Sequence, residues 1–351
     1  MKVALIYYSN MDFGGAERRL TRIYNEIGKT VNCDLLVRGC KKKELLQRMR
    51  KSDSSYDGFN NIICFDNNAH CIKYILKERY NVVHCFDTSG FNAFLICLLS
   101  FLRCRTMVTV ASVPIAERFQ NKTATLKDKI IACSATVVDV LYPWCYEYIS
   151  KYRPKKDTRI TIGTFTDTNI FKPAKKDKIL VYAAARLENI KNPGLLIEAC
   201  NIVQNTLRNH EYTVFILGKG ELEDELRASI IKYGIQDIVE MPGYKKTSEY
   251  FPNAEAVFSL QKNENYPSQV IAEACACGCY LFITDVGSSR MCANEEFCTF
   301  VESNSVALGK AIEEYVMFPQ ERKNKIAVDA RDYASKNYAI DNSIDYYKSL
   351  L

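Results

Sequence analysis

The residues that could do chemistry in this chain fall in three short segments of its second half. Arg186 leaves the end of an apolar run, and Lys191 stands just before a stretch whose first helical turn would contain Pro193. Two fixed cations beside a helix N-terminus make a seat for a diphosphate, and they would stabilise charge growing on a departing phosphate. A solvated loop with two unrelated basic residues would read the same way. Gly218-Lys219-Gly220 follows another apolar run; glycine there either lets the backbone approach a nucleotide closely or simply makes a tight turn. The third segment runs Asn263-Glu264-Asn265-Tyr266-Pro267-Ser268-Gln269-Val270-Ile271-Ala272-Glu273-Ala274-Cys275-Ala276-Cys277-Gly278. Pro267 and Ser268 would start a helix whose early amides stay open to a ligand, and Gly278 would end it. Glu273 lies inside that helix among Ala, Ile and Cys. A carboxylate there needs a partner, either a ribose diol or a neighbouring basic side chain.

Short apolar runs at 3–8, 32–37, 61–64, 82–86, 107–110 and 130–133 alternate with helix-length amphipathic segments, and Gly14-Gly15 opens the first of these. The pattern restarts at 179–184, 213–217, 238–241, 256–260 and 280–284. Strands apolar on both faces, alternating with helices, imply parallel sheets covered on both sides. The expected class is α/β with two doubly wound, Rossmann-like domains, whose ligands bind in a crevice at the carboxyl ends of the strands. Two polar, proline-containing stretches, 151–157 and 172–177, are read as the linker between the domains.

A length of 351 residues fits two domains at roughly 100–200 residues each. A composition of 48% hydrophobic and 25% charged residues suffices for two cores. Fifteen cysteines sit mostly alone in apolar runs, and Cys275, Cys277 and Cys279 alternate instead of taking metal-ligand spacing. Cysteine therefore reads as a small hydrophobe in a reducing cytoplasm, with no metal expected. The N-terminus shows no signal-peptide pattern, and the longest apolar stretch, 91–102, is short of the roughly twenty residues a spanning helix needs. That stretch is read as core. The net charge of +6 gathers at Lys41-Lys42-Lys43, 122–129 and 151–159, as solvated surface or as a contact with anionic lipid. No aromatic-interleaved basic motif supports nucleic-acid binding.

Taken in order, Arg186…Lys191, Gly218-Lys219-Gly220, the 264–278 run and Thr284-Asp285-Val286-Gly287 resemble the donor half of the retaining GT-B glycosyltransferases of family four, the glycosyl transferases group 1. Gly14-Gly15-Ala16-Glu17-Arg18 is similar to that family's N-terminal glycine loop. Val82-Val83-His84-Cys85 and Asp167-Thr168-Asn169-Ile170-Phe171-Lys172-Pro173 also fall where family counterparts stand. The resemblance implies an acceptor-binding domain at 1–165, a nucleotide-sugar donor domain at 166–335, and a C-terminal helix, 336–351, packing back on the first domain. It implies that Arg186 and Lys191 hold the donor diphosphate and Glu273 the ribose. Glu264 and Asn265 would lie near the sugar, with amides around Tyr266, Pro267, Ser268 and Gln269, and with Gly14 and Gly15 across the cleft. No metal or other cofactor is implied. The partners would be a UDP-, GDP- or similar sugar and a saccharide or lipid-linked saccharide acceptor, with peripheral contact to the inner membrane face.

The sequence departs from the family in two places. Eight residues instead of seven separate Glu264 from Glu273, so either Glu264 or Asn265 takes the first-glutamate role. With three histidines in the chain, His84 is the candidate for a polar group beside the sugar, or else a satisfied structural histidine. A dinucleotide oxidoreductase needs a Gly-x-Gly-x-x-Gly turn that Gly14-Gly15 does not supply. A subunit that binds nucleotide sugar without turning it over is the alternative that the altered spacing leaves standing.

Overall fold

The computed structural model describes residues 1–8, 15–39, 45, 58–86, 89–110, 113–161 and 163–351. The chain forms two units, Met1–Gly163 with Ser343–Leu351, and Thr164–Asn342. In the first unit, β1 (Lys2–Tyr8), β2 (Asn32–Arg38), β3 (Asn61–Phe65), β4 (Val82–Phe86), β5 (Arg105–Val110), β6 (Val137–Val140) and β7 (Asp157–Ile160) form a parallel sheet in the order β3-β2-β1-β4-β5-β6-β7. All five residues of β4 are buried, as a strand covered on both faces requires.

Three readings of this half change. Residues 130–133 are helical, within Leu126–Ser134, and the strand comes later at β6. The reason is local. Thr125 and Asp128 form a reciprocal capping box that starts the helix, and Arg118 holds the fully buried Asp128 through two bonds of 2.9 Å. The polar stretch 151–157 lies inside the first unit, because residues 157–160 pair with β6, while 172–177 lies inside the second. The apolar stretch 91–102 is not simple core. The helix Gly90–Phe101 buries Asn92, Ala93, Leu95, Ile96 and Leu99 but exposes Phe94, Phe101 and the following Leu102.

The second unit holds β8 (Asp177–Arg186), β9 (Thr213–Lys219), β10 (Val239–Gly243), β11 (Ala254–Ser259), β12 (Tyr280–Thr284) and β13 (Cys298–Val301), parallel throughout, in the order β10-β9-β8-β11-β12-β13. From β8 the chain steps outward to β9 and β10, then returns to the other side of β8 as β11. The strand order therefore reverses between β8 and β11, the place where doubly wound sheets open a crevice for ligands. Cys275, Cys277, Cys279, Cys292 and, on β13 itself, Cys298 are buried in this unit as free thiols; burial pushes Cys292 and Cys298 up to about 12.

The last helix, Ile340–Leu350, has its residues from Ser343 onward in the first unit. There the Tyr347 hydroxyl donates to the buried Asp139 carboxylate of β6 at 2.9 Å. Among the described residues, no helix is long and apolar enough to cross a membrane.

Candidate functional site

The carboxyl ends of β8, β9, β11 and β12 bring together most of the residues singled out from the sequence. Arg186 is the last residue of β8; its side chain is 78% exposed, with Nε 3.0 Å from Glu188 Oε1. The turn Asn189–Lys191 follows, then Asn192 in the left-handed region (φ 54°) and Pro193 at the first position of the helix Pro193–Ile202. Lys191 Nζ donates to Gln261 Oε1 at 2.9 Å, across the point where the strand order reverses. Burial lowers the ammonium's pKa, with Glu188 raising it and Arg186 lowering it further. The two loops are also joined through the backbone, Lys262 N donating to the Ile190 carbonyl at 3.0 Å, and through Lys262 Nζ and Asn189 Oδ1.

Gly218 and Gly220 serve this loop more directly than a nucleotide. A Cβ at Gly218 (φ +144°) would stand 2.1 Å from the Ala184 carbonyl, and one at Gly220 2.6 Å from the backbone N and O of Leu187. Leu187 N donates to the Lys219 carbonyl at 2.9 Å, and Leu222 N to the Leu187 carbonyl at 3.2 Å. The glycine turn is thus zipped against the segment that carries Arg186.

Glu264 and Asn265 have distinct surroundings. Glu264 Oε1 accepts the amides of Asn265, Tyr266 and Ser288, each at 2.9 Å, and Oε2 accepts from Ser288 Oγ at 3.2 Å. The carboxylate clasps its own turn to the turn after β12, where Gly287 (φ +52°) leaves room that a Cβ, 2.8 Å from the carboxylate, would close. The amide of Tyr266 is therefore already bonded, contrary to its expected role toward sugar or phosphate. Asn265 is 1% exposed: Nδ2 donates to the Ser259 carbonyl at 3.1 Å, and Oδ1 accepts from Ser259 Oγ and from Gln261 Nε2. Buried and bonded at both ends, its side chain is not a catalytic group facing the sugar.

Pro267 precedes Ser268, which caps the helix Gln269–Ala276 by accepting from Ile271 N at 3.4 Å. Inside that helix, Glu273 accepts from Thr247 Oγ1 at 2.6 Å and from Gln269 Nε2 at 2.9 Å. Gln261 and Thr247 were not singled out from the sequence; standing just beyond strand ends was their only signal.

In the first unit, Gly14 lies outside the described residues, as do Lys41, Lys42 and Lys43, and Gly15 is the first residue of the helix Gly15–Gly28. His84 is fully buried. Tyr24 Oη lies 2.7 Å from its Nδ1, and its Nε2 lies 2.8 Å from Thr109 Oγ1, which donates to Asp139 at 2.6 Å. Because the threonine proton goes to the carboxylate, Nε2–H donates to Thr109 and Nδ1 accepts from Tyr24. Burial, with Arg19 nearby, lowers His84 to about 3. The reading of His84 as a polar group beside the sugar is replaced by a structural one.

Residues 165–332, within the second unit, match the family model described as Glycosyl transferases group 1. The structure of Anabaena Alr3699/HepE in complex with UDP superposes with a TM-score of 0.78 at 16% identity, over 99% of each chain. A glycosyltransferase from Rickettsia africae gives 0.77 at 14% identity, over 99% of this chain and 98% of that one. The chain has the GT-B fold. The GT-B chain is also 30% identical, over 175 residues, to N-acetylgalactosamine-N,N'-diacetylbacillosaminyl-diphospho-undecaprenol 4-alpha-N-acetylgalactosaminyltransferase of Campylobacter jejuni. It is 36% identical, over 69 residues, to the amylovoran biosynthesis glycosyltransferase AmsK of Erwinia amylovora. These matches span 46% and 16% of those two proteins' lengths.

Proposed function

We propose that the protein transfers a sugar from a nucleoside-diphosphate sugar to an acceptor hydroxyl, with retention of anomeric configuration. The observation that carries this is the Lys191 ammonium held at the strand-order reversal, with the loosely tethered Arg186 guanidinium on the same loop. Two cations there would bind the donor diphosphate and stabilise the charge that develops on it as the glycosidic bond breaks. In a front-face displacement the leaving phosphate oxygen takes the acceptor proton, so protein groups position and neutralise rather than act as general base. Glu273, with Thr247 beside it, would accept the ribose hydroxyls. UDP as the nucleotude is supported by the Anabaena complexes, and a lipid-linked saccharide acceptor by the Campylobacter relative's name.

A thermal-shift screen of UDP, GDP, ADP and their sugars tests the donor half. Ligand at a hundred times its dissociation constant adds roughly 2.7 kcal/mol. One nucleotide should stabilise the chain and lose that effect in Glu273→Ala; an equal shift in the variant would move the ribose elsewhere. Retention is read by NMR as the same anomeric configuration in donor and product.

A cytoplasmic protein with peripheral contact to the inner membrane face is part of the same proposal. Phe94, Phe101 and Leu102 are 58%, 84% and 56% exposed beside the exposed Arg103 and Arg105. Apolar rings flanked by cations suit an anionic bilayer. The chain should float with phosphatidylglycerol vesicles and not with phosphatidylcholine vesicles. Flotation undiminished in the double variant Phe94→Ser, Phe101→Ser would remove this helix from the contact.

A further inference from the structure

Two side chains, Asn265 and Gln261, lead from the backbone of β11 to the Lys191 ammonium, and their polarity is fixed at one end. The Ser259 carbonyl can only accept, so the group of Asn265 that faces it, 3.1 Å away, is the NH2. Asn265 Oδ1 therefore points the other way, where it accepts from Ser259 Oγ at 2.9 Å and from Gln261 at 2.8 Å. The nitrogen of Gln261 must face that oxygen, which leaves Oε1 facing Lys191 Nζ at 2.9 Å. Gln261 is itself pinned through its carbonyl, which accepts from Thr284 Oγ1 of β12 at 2.7 Å. Asn265 is pinned likewise, its carbonyl accepting from Cys292 Sγ at 3.4 Å.

We infer that Gln261 is a positioning residue: oriented by the buried Asn265, it presents a neutral acceptor that fixes the Lys191 ammonium at the strand-order reversal and leaves two of its N–H groups for a diphosphate. A neutral amide suits this task. A carboxylate in its place would form an ion pair with the lysine and compete with the anionic ligand, whereas an apolar side chain would leave the half-buried ammonium without its acceptor. This also accounts for Asn265 at the spacing where the resemblance leads one to expect glutamate: its NH2 satisfies the Ser259 carbonyl, which a carboxylate cannot do. The inference rests on the donor-site reading above.

The charged groups acting on Lys191 are Glu188 and Arg186 on its own loop; the Tyr182 hydroxyl on β8 donates to the Lys191 carbonyl at 2.8 Å, and Lys262 on the loop after β11 is held on Asn189 of the same turn. The test titrates the wild-type chain, Lys191→Ala, Gln261→Glu and Gln261→Met calorimetrically from about pH 7 to 10. The ligand is whichever of UDP, GDP and ADP stabilises the wild type most. Melting temperatures serve as the folding control. Binding should weaken at least tenfold in Lys191→Ala and in Gln261→Glu, and several-fold in Gln261→Met. Affinity should fall toward alkaline pH as the ammonium deprotonates. That fall should move to higher pH in Gln261→Glu, where an anion stabilises the ammonium, and to lower pH in Gln261→Met. A merely structural role would not shift it in opposite directions; the nucleotide's own titration is common to all the proteins. Should none of the three nucleotides bind the wild type, or should Lys191→Ala bind as tightly as wild type, the donor-site reading fails and takes the relay with it. Should Lys191→Ala bind weakly while both Gln261 variants keep wild-type affinity and pH dependence, the relay alone is wrong.

Discussion

Arg186 and Lys191 show how differently two neighbouring cations are held. Lys191 is half-buried on a fixed amide, while the Arg186 side chain is 78% exposed and tied to Glu188 by one surface ion pair. Such pairs contribute about 0–1 kcal/mol, so the guanidinium can leave Glu188 for a stronger anion at little cost. Arg186→Ala should therefore lower turnover at least tenfold, about 1.4 kcal/mol of transition-state stabilisation, with an unchanged melting temperature. Turnover equal to wild type would place the diphosphate elsewhere. Glu264 makes the opposite case: four hydrogen bonds to two turns make its carboxylate part of the scaffold.

Two loops, rather than any one residue, set the geometry of the β8 end. The turn 218–220 packs so closely on residues 184–187 that only glycine fits at two positions. Gly220→Ala must push Leu187 and its neighbour Arg186 away, costing about 2 kcal/mol or more by the overpacking that such contacts produce, and weakening nucleotide binding several-fold. Gly194, on the helix Pro193–Ile202, has nothing within 4 Å of an added Cβ. Gly194→Ala should leave stability unchanged or slightly raised, since alanine is the better helix former. Equal effects of the two substitutions would show that loop packing does not set the geometry. The helix Leu126–Ser134 carries the same lesson, its capping box outweighing an apolar run that resembles a strand.

Across the first unit, a buried polar chain runs from Tyr24 through His84, Thr109 and Asp139 to Tyr347 of the last helix, then to Thr161 and Arg19. Its protonation makes stability depend on pH. His84 falls to about 3 in the folded unit, below its ordinary value of about 6.5, so the unfolded chain binds more protons between these limits. The stability that neutral His84 allows is present above about pH 6.5 and is lost as pH falls through the window toward 3, by up to about 1.4 kcal/mol per unit. Burial raises the pKa of Asp139, which acts in the opposite sense: its contribution is present at low pH and lost as pH rises through its folded value. Trp144, the one tryptophan, lies in the first unit and reports its unfolding. Urea midpoints followed by its fluorescence at pH 7, 6 and 5 should decline less steeply in His84→Gln than in wild type. Parallel declines would show that His84 does not drive the acid loss.

The periodicity of the chain determined the α/β class and most of the strands, because a strand buried on both faces must be apolar at consecutive positions, as β4 is. It also marked Arg186, Lys191 and Glu273, whose charges are costly wherever nothing answers them. It missed β6, β7 and β13, three four-residue strands too short to set a period. It gave no ground for choosing between Glu264 and Asn265, or between two readings of His84. Those choices turn on partners distant in sequence: Ser288 for Glu264, Ser259 and Gln261 for Asn265, Tyr24 and Thr109 for His84. Residue type and spacing limit what a side chain can do, but which hydrogen bonds it makes depends on which strand ends the sheet order brings together, and only the tertiary structure decides that.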